Sequence, residues 1–322
     1  METTVRRPAS LFVAVVLAGL LGAGVAKAAE IPSGPAELPP KPAELLSKLR
    51  AQVQALDARL DGVLGVYVED HASRAVIELR PDEPFPTASS IKPAVLYELY
   101  RQAEEDGLDV SEVTRPPLPR VSGGGVLQDL GDRVSLTWRD LGVLMMRWSD
   151  NEATNLLIRR VGGRDAVNRR LDAISLDRTR LRREMMDLAA ARRGDENVST
   201  PRELAQLAGI LARGEGLSPA GAKDLLAVAT VVADGSPFRR GLPESVRAIS
   251  KPGSLEGVRC EMAWVDVPGR PYTAAIMTAY LRHEADGEAA IEELSAAIYS
   301  TFDRLARSSE YGRIVSERDT GK

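Results

Sequence analysis

Extended apolar runs lie near both ends of this chain, and the long middle between them reads as helix. Val63 to Glu69 and Ala75 to Arg80 form two strand-like runs around a polar turn. Ala248 to Ser254, Val258 to Val267 and Tyr272 to Tyr280 form three more, separated by Gly, Pro and charged residues. Outside each group lies an amphipathic helix. The first runs from about Ala43 to Leu60, with Leu45, Leu49, Val53, Leu56 and Leu60 on one face. The last runs from about Glu288 to Arg307, with Ile291, Leu294, Ile298, Phe302 and Leu305 on its apolar face. From Ile91 to about Val232 the pattern is helical. Thr137 and Thr200 are candidate caps, the second followed by Pro201 and Glu203. Thr179 to Ser199 is a long polar loop, a length often kept for function. Strands from both ends can pair into one sheet. The order predicts an α+β fold, an antiparallel sheet flanked by terminal helices plus an all-helical lobe. A cleft between two such lobes is a natural ligand site.

The 322 residues are 44% hydrophobic and 27% charged, so a sizeable core is available. Net charge is -4, aromatics are 4%, and no basic stripe interleaves with them, which argues against a nucleic-acid partner. Residues 1–28 read as a signal peptide. Arg6 and Arg7 precede the apolar run Leu11 to Val25, and Ala26-Lys27-Ala28 is a small-x-small cleavage site. The run is short for a membrane span, and an uncleaved anchor is the alternative. Residues 29–42, rich in Pro and Ala, read as a linker. Residues 43–307 read as one catalytic domain, with a sheet lobe (43–88 and 241–307) and a helical lobe (89–240). Residues 308–322 form a polar tail. The expected location is secreted or periplasmic, as a monomer without stable membrane insertion after cleavage. Cys260 is the only cysteine, so no internal disulfide can form, and its apolar setting suggests a buried structural thiol.

Only two histidines are present, His71 in a predicted turn and His283 after the last strand, both expected to be exposed. A Ser-His-Asp triad therefore has poor candidates, and a zinc site lacks its usual ligands. Lysine can activate a serine instead. Ser89 and Lys92 are three residues apart, which places both on one face of a helix. A desolvated amine there can take the serine proton. Taken alone, Ser89 is as readily a helix cap and Lys92 a solvated lysine. Ser149-Asp150-Asn151 lies between two helical runs, where a turn is the ordinary reading. Ser149 could relay a proton to a leaving nitrogen, and Asn151 could bind a substrate amide. Lys251-Pro252-Gly253-Ser254 falls on a predicted strand. Lys251 offers a fixed positive charge, Gly253 permits close approach to the backbone, and the Ser254 N–H can serve an oxyanion.

Ser-x-x-Lys, Ser-Asp-Asn and Lys-x-Gly, in that order, resemble the signature set of class A β-lactamases and penicillin-binding proteins. Ser149 follows Ser89 by 60 residues, and Phe85 precedes it by four, both similar to class A enzymes. The resemblance covers about residues 43–307. It implies Ser89 as the acylated nucleophile and Lys92 as proton acceptor or relay, with Ser149 as proton shuttle. It implies Asn151 and Lys251 as substrate-binding groups, and the Ser89 and Ser254 amides as the oxyanion hole. It implies no metal or organic cofactor. The implied substrate is a β-lactam or a cell-wall peptide.

Two positions depart from the family. Pro252 stands where a hydroxyl residue usually contacts the substrate carboxylate, and Arg259 on the next strand is a possible substitute. On the loop, counting back from Thr200-Pro201 places Glu184 at the water-activating position, while counting forward from Arg180-Leu181 misses it by one. Leu188 stands where an asparagine usually helps hold the water. The alternative for Glu184 is a surface ion pair with a nearby arginine. The expected activity is a serine hydrolase that opens β-lactam rings. The alternatives are a peptidoglycan DD-peptidase, or a β-lactam-binding or sensing module with weak or no turnover.

Overall fold

Eight-residue strands from opposite ends of the chain are hydrogen-bonded neighbours in a computed structural model that describes residues 1, 39–117, 120–309 and 311–315. The expected signal peptide, most of the linker and residues 316–322 of the tail lie outside the described residues. In chain order the strands are β1 (Val63–Asp70), β2 (Val76–Leu79), four two-residue strands β3 (Phe85–Pro86), β4 (Val113–Thr114), β5 (Leu136–Thr137) and β6 (Val198–Ser199), then β7 (Ala248–Leu255), β8 (Val258–Val265) and β9 (Tyr272–Ala279). The main sheet has the order β2-β1-β9-β8-β7 and is antiparallel throughout. β1 and β9 join the chain ends, from Val63 opposite Ala279 to Asp70 opposite Tyr272. β7 is an edge strand, a position where Pro252 is tolerated because no neighbour on the free side needs its missing N–H.

The helices are α1 (Pro40–Arg59), α2 (Lys92–Glu105), α3 (Trp138–Trp148), α4 (Asn151–Arg160), α5 (Gly163–Ala173), α6 (Leu188–Arg192), α7 (Pro201–Arg213), α8 (Pro219–Ala229), α9 (Pro237–Arg240) and α10 (Glu284–Ala306). Two cores lie on opposite faces of the sheet. On one face Tyr67, Cys260, Met262, Trp264, Ala275 and Met277 join residues of the middle helices. On the other, Leu64, Val66, Val68, Ala263, Val265, Ala274 and Ile276 pack with α1 and α10. Burial on both faces explains why the late strands read as unbroken apolar runs rather than alternating ones. Each fully buried aliphatic side chain contributes about 1.5–3 kcal/mol of transfer free energy.

Both terminal helices start earlier than the sequence predicts. α1 begins at Pro40, inside the expected linker, because proline fits the first helical turn where its N–H would be unpaired anyway. Leu46 rather than Leu45 is buried, which turns the apolar face slightly. α10 begins at Glu284, through Gly287. A Cβ at Gly287 would stand 2.5 Å from Leu281 Cδ1, so the glycine permits close packing on the sheet rather than ending the helix. Thr137 and Thr200 cap α3 and α7 through their side-chain oxygens, as their positions predict. His71, expected to be exposed, is half-buried beside Thr273. Burial, reinforced by Arg213 and Arg74 against the opposing Asp70, pushes its imidazole down to about 4.

Candidate active site

Ser89 sits in a 3-10 turn, Ala88–Ile91, that feeds directly into α2. Ala88 just before it has φ +46, a left-handed conformation that costs a non-glycine residue energy and so marks a site held by its surroundings. The turn is tied down on both sides. The Thr87 N–H and hydroxyl donate to Asn197 O at 2.9 and 3.1 Å, and Ser90 Oγ donates to Lys251 O at 2.8 Å. Pro93, in the first turn of α2, fixes where the helix starts, so Lys92 is carried inward and is fully buried.

The second motif forms the junction of α3 and α4. Ser149 ends α3 with φ +52. Asp150 caps α4, accepting from Ala153 N at 2.9 Å. Its other oxygen accepts from Val126 N at 2.7 Å and Leu127 N at 2.8 Å, which folds Gly123–Gly125 over the site. Gly125 has φ +95, and a Cβ there would lie 2.2 Å from Asp150 Oδ2, so this turn requires glycine. On β7, Lys251 is buried with its amine 3.2 Å from Pro252 O. A Cβ at Gly253 would meet Thr87 O at 2.3 Å and Cys260 Sγ at 2.6 Å. Gly253 therefore lets the strand lie against the Ser89 turn. The sequence suggests close approach by a ligand, but the neighbour that needs the space is the protein itself.

These elements enclose a cavity of about 400 Å³. Ser89, Ser149, Asn151, Gly253 and Ser254 line it, together with Gly124 and Pro252. No histidine is among the described lining residues. Lys92 lies beneath, its amine 2.6 Å from Ser149 O, 3.0 Å from Ser149 Oγ and 3.0 Å from Asn151 Oδ1. The amine thus turns to Ser149 and Asn151, and among the described residues it makes no hydrogen bond to Ser89. Burial, then the nearby Lys251 charge, holds the Lys92 amine well below the usual lysine range, against the pull of Asp150. The amine donates to Ser149 O, to the Ser149 hydroxyl and to Asn151 Oδ1. Lys251 is brought down to about 8 by burial, opposed by Glu261 and Cys260. Cys260 is a buried structural thiol, its Sγ 2.9 Å from Thr87 O.

Two expected residues stand elsewhere. Glu184 is absent from the described cavity lining, and its carboxylate accepts from Arg159 Nη2 at 2.8 Å. Asn155 explains the displacement. Its side-chain amide donates to Met185 O at 3.0 Å and accepts from Met185 N at 2.8 Å, so Met185 is clamped at the cavity wall and Glu184 faces outward. Arg259 is committed to Glu288 and to the carbonyls of Leu255 and Val258; Glu288 and Leu255 line the cavity, and Arg259 is not among its described lining residues. The sequence reading missed Arg183, Met185, Asn197, Asp234 and Gly235, which also line the site. The Gly123–Gly125 run carried a signal of its own, since consecutive glycines are unusual outside tight backbone turns.

A model of the β-lactamase enzyme family matches residues 48–302, most of the described fold and all three motifs. The chain belongs to this family. A β-lactamase of Streptomyces lavendulae is 28% identical over 309 residues, covering 94% of this chain and 99% of that protein. A β-lactamase of Amycolatopsis lactamdurans is 31% identical, covering 69% and 74%. Among solved structures, PBP-A is 27% identical with a TM-score of 0.73, covering 81% of this chain and 97% of that one. An ancestral class A β-lactamase is also 27% identical at a TM-score of 0.73, covering 79% and 100%.

Proposed function

We propose that this β-lactamase-family enzyme opens β-lactam rings by acylation of Ser89. The convergence of Ser89, Lys92, Ser149 and the β7 strand on one cavity carries the reading. In the proposed step, Ser89 Oγ attacks the ring carbonyl and its proton passes to the Lys92 amine, directly or through Ser149. The Ser89 and Ser254 N–H groups hold the oxyanion. The ring C–N bond then breaks, Ser149 delivers a proton to the nitrogen, and an ester to Ser89 remains. Asn151 binds the substrate amide, and Lys251 attracts its carboxylate. Water completes the cycle by cleaving the ester.

A second reading is a DD-peptidase acting on cell-wall peptides, and one observation favours it. The loop wall carries Met185 where a water-activating carboxylate would be needed, and Glu184 is held by Arg159. An ester formed on Ser89 would then hydrolyse slowly. A PBP-A variant, 27% identical to this chain, has been solved as an acyl-enzyme complex with penicillin G.

Intact-protein mass after exposure to penicillin tests both. A short-lived adduct on Ser89 with drug turnover supports the lactamase, a long-lived adduct with cleavage of D-Ala-D-Ala peptides supports the peptidase, and no adduct overturns both. We also propose that residues 1–28 direct export and that residues 43–307 act as a monomeric catalytic domain. N-terminal sequencing after Ala28 and gel filtration of the processed protein check these points.

A further inference from the structure

Behind β7, on the side of the sheet away from the middle helices, lies a buried carboxylate with no part in the chemistry above. Glu261 on β8 is fully buried. One carboxylate oxygen accepts from the Ser250 hydroxyl at 2.5 Å and from the Ser236 hydroxyl. The other accepts from Phe238 N at 2.9 Å. Ser236 and Ser250 are also 2.8 Å apart. Both partners lead into the active site. Ser250 directly precedes Lys251, and Ser236 directly follows Asp234 and Gly235, which line the cavity. Burial pushes the Glu261 carboxyl up, while Ser236, Ser250, Phe238 N–H and Lys251 pull it back towards the charged form. The three donors supply the bonds, and Lys251, one position along the neighbouring strand, supplies an opposite charge.

Resting on the acylation reading, we propose that Glu261 is a positioning residue. It fastens the Asp234–Gly235 wall to β7 and provides the negative charge behind Lys251. The other ionisable groups acting on Lys251 or on its neighbour Lys92 are Cys260 on β8, Asp150 at the α3–α4 junction and Lys92 itself on α2. Asp150 is already bound to three backbone N–H groups. Cys260 is held as a neutral thiol, its burial pushing it up to about 12. Glu261 is therefore the carboxylate that keeps Lys251 cationic as pH rises. Without it, Lys251 loses its proton at lower pH, and attraction for the substrate carboxylate falls with it.

The test is the acylation rate constant of the full processed enzyme, measured from pH 5.5 to 9.5 with a chromogenic β-lactam, in wild type and Glu261→Gln. Glutamine keeps the shape and one acceptor but removes the charge. The alkaline limb should move to lower pH by about half to one unit. The rate near pH 8.5 should fall several-fold more than the rate near pH 6. Ser236→Ala, which loosens the wall but leaves the charge, should slow acylation without moving the limb. If Glu261→Gln fails to fold, the triple variant Ser236→Ala/Ser250→Ala/Glu261→Leu, with no stranded polar group, carries the same measurement. Parallel loss at every pH in the charge-removing variant means a purely structural role and overturns the proposal, as does an unchanged profile. Wild-type protein that forms no Ser89 adduct overturns the acylation reading instead, and this proposal with it.

Discussion

Met185→Glu should shorten the life of the Ser89 acyl-enzyme. Met185 is 7% exposed, lines the cavity and is clamped by both ends of the Asn155 amide. A carboxylate at this position would face the same space without moving the loop backbone. A well-placed general base accelerates a step by about 10²–10⁴-fold. The new side chain meets a partly dry wall, so the lower end, about 100-fold, is the reasoned expectation. Burying the carboxyl should cost about 1–3 kcal/mol of stability. At about 2–4 °C per kcal/mol, that is a fall in Tm on the order of 5 °C. The assay is the decay of the penicillin adduct by intact mass, after excess drug is removed. Glu184→Gln is the paired control and should leave decay unchanged, because that carboxylate serves Arg159. The reasoning is refuted if Glu184→Gln prolongs the adduct while Met185→Glu leaves its lifetime alone. Glu184 would then swing inward during catalysis.

Three further outcomes follow from the geometry. Lys92→Ala should lower the acylation rate at neutral pH by about 100-fold or more, read by stopped-flow with a chromogenic substrate, since it removes the amine bonded to the Ser149 hydroxyl. Gly253→Ala drives a methyl into Thr87 O and Cys260 Sγ, and should cost about 1–3 kcal/mol by denaturant unfolding while slowing acylation through a displaced Ser89 turn. His71 has a folded-state pKa near 4 against 6.5 unfolded, so the unfolded chain binds more protons between those values and stability falls as pH drops through that window. After discounting for partial exposure, the loss is about 1–2 kcal/mol, and His71→Gln should flatten the decline in Tm between pH 7 and pH 4.

The main sheet and its flanking helices were legible because both faces of its central strands are buried, so those strands read as apolar runs; the two-residue strands β3 to β6 carry no such signal. The three motifs were legible as short strings, and their convergence follows from the sheet joining the chain ends. Other features depend on contacts distant in sequence. Gly253 is fixed by Thr87 and Cys260, His71 is covered by residues of α7 and β9, and the glycine loop is folded by Asp150, more than 20 residues beyond it. None of these distant contacts can be read from a local pattern, although the glycine run itself marks a turn. Arg259, placed correctly on its strand, was free to reach the cavity until Glu288 on α10 claimed it.

The loop base shows how narrow the margin is. Counting from one end selects Glu184 and counting from the other misses by one residue, and the two counts disagree because a loop has no periodicity to fix its register. Glu184 to Asp187 form a turn in which Asp187 N–H donates to Glu184 O at 3.4 Å, and Met185 and Met186 line the cavity while Glu184 does not. A slip of one here exchanges the Met185 side chain at the wall for a carboxylate paired with Arg159. What sets the register here is Asn155, six residues after Ser149 on α4, bonding both polar atoms of one backbone residue. That residue is Met185, and the carboxylate beside it found Arg159. On the acylation reading, the rate of acyl release should therefore depend on a side-chain amide outside all three motifs. Asn155→Ala, which frees the loop to shift, should change the adduct lifetime more than any substitution of Glu184. Equal lifetimes in Asn155→Ala and wild type would mean that the clamp does not govern deacylation.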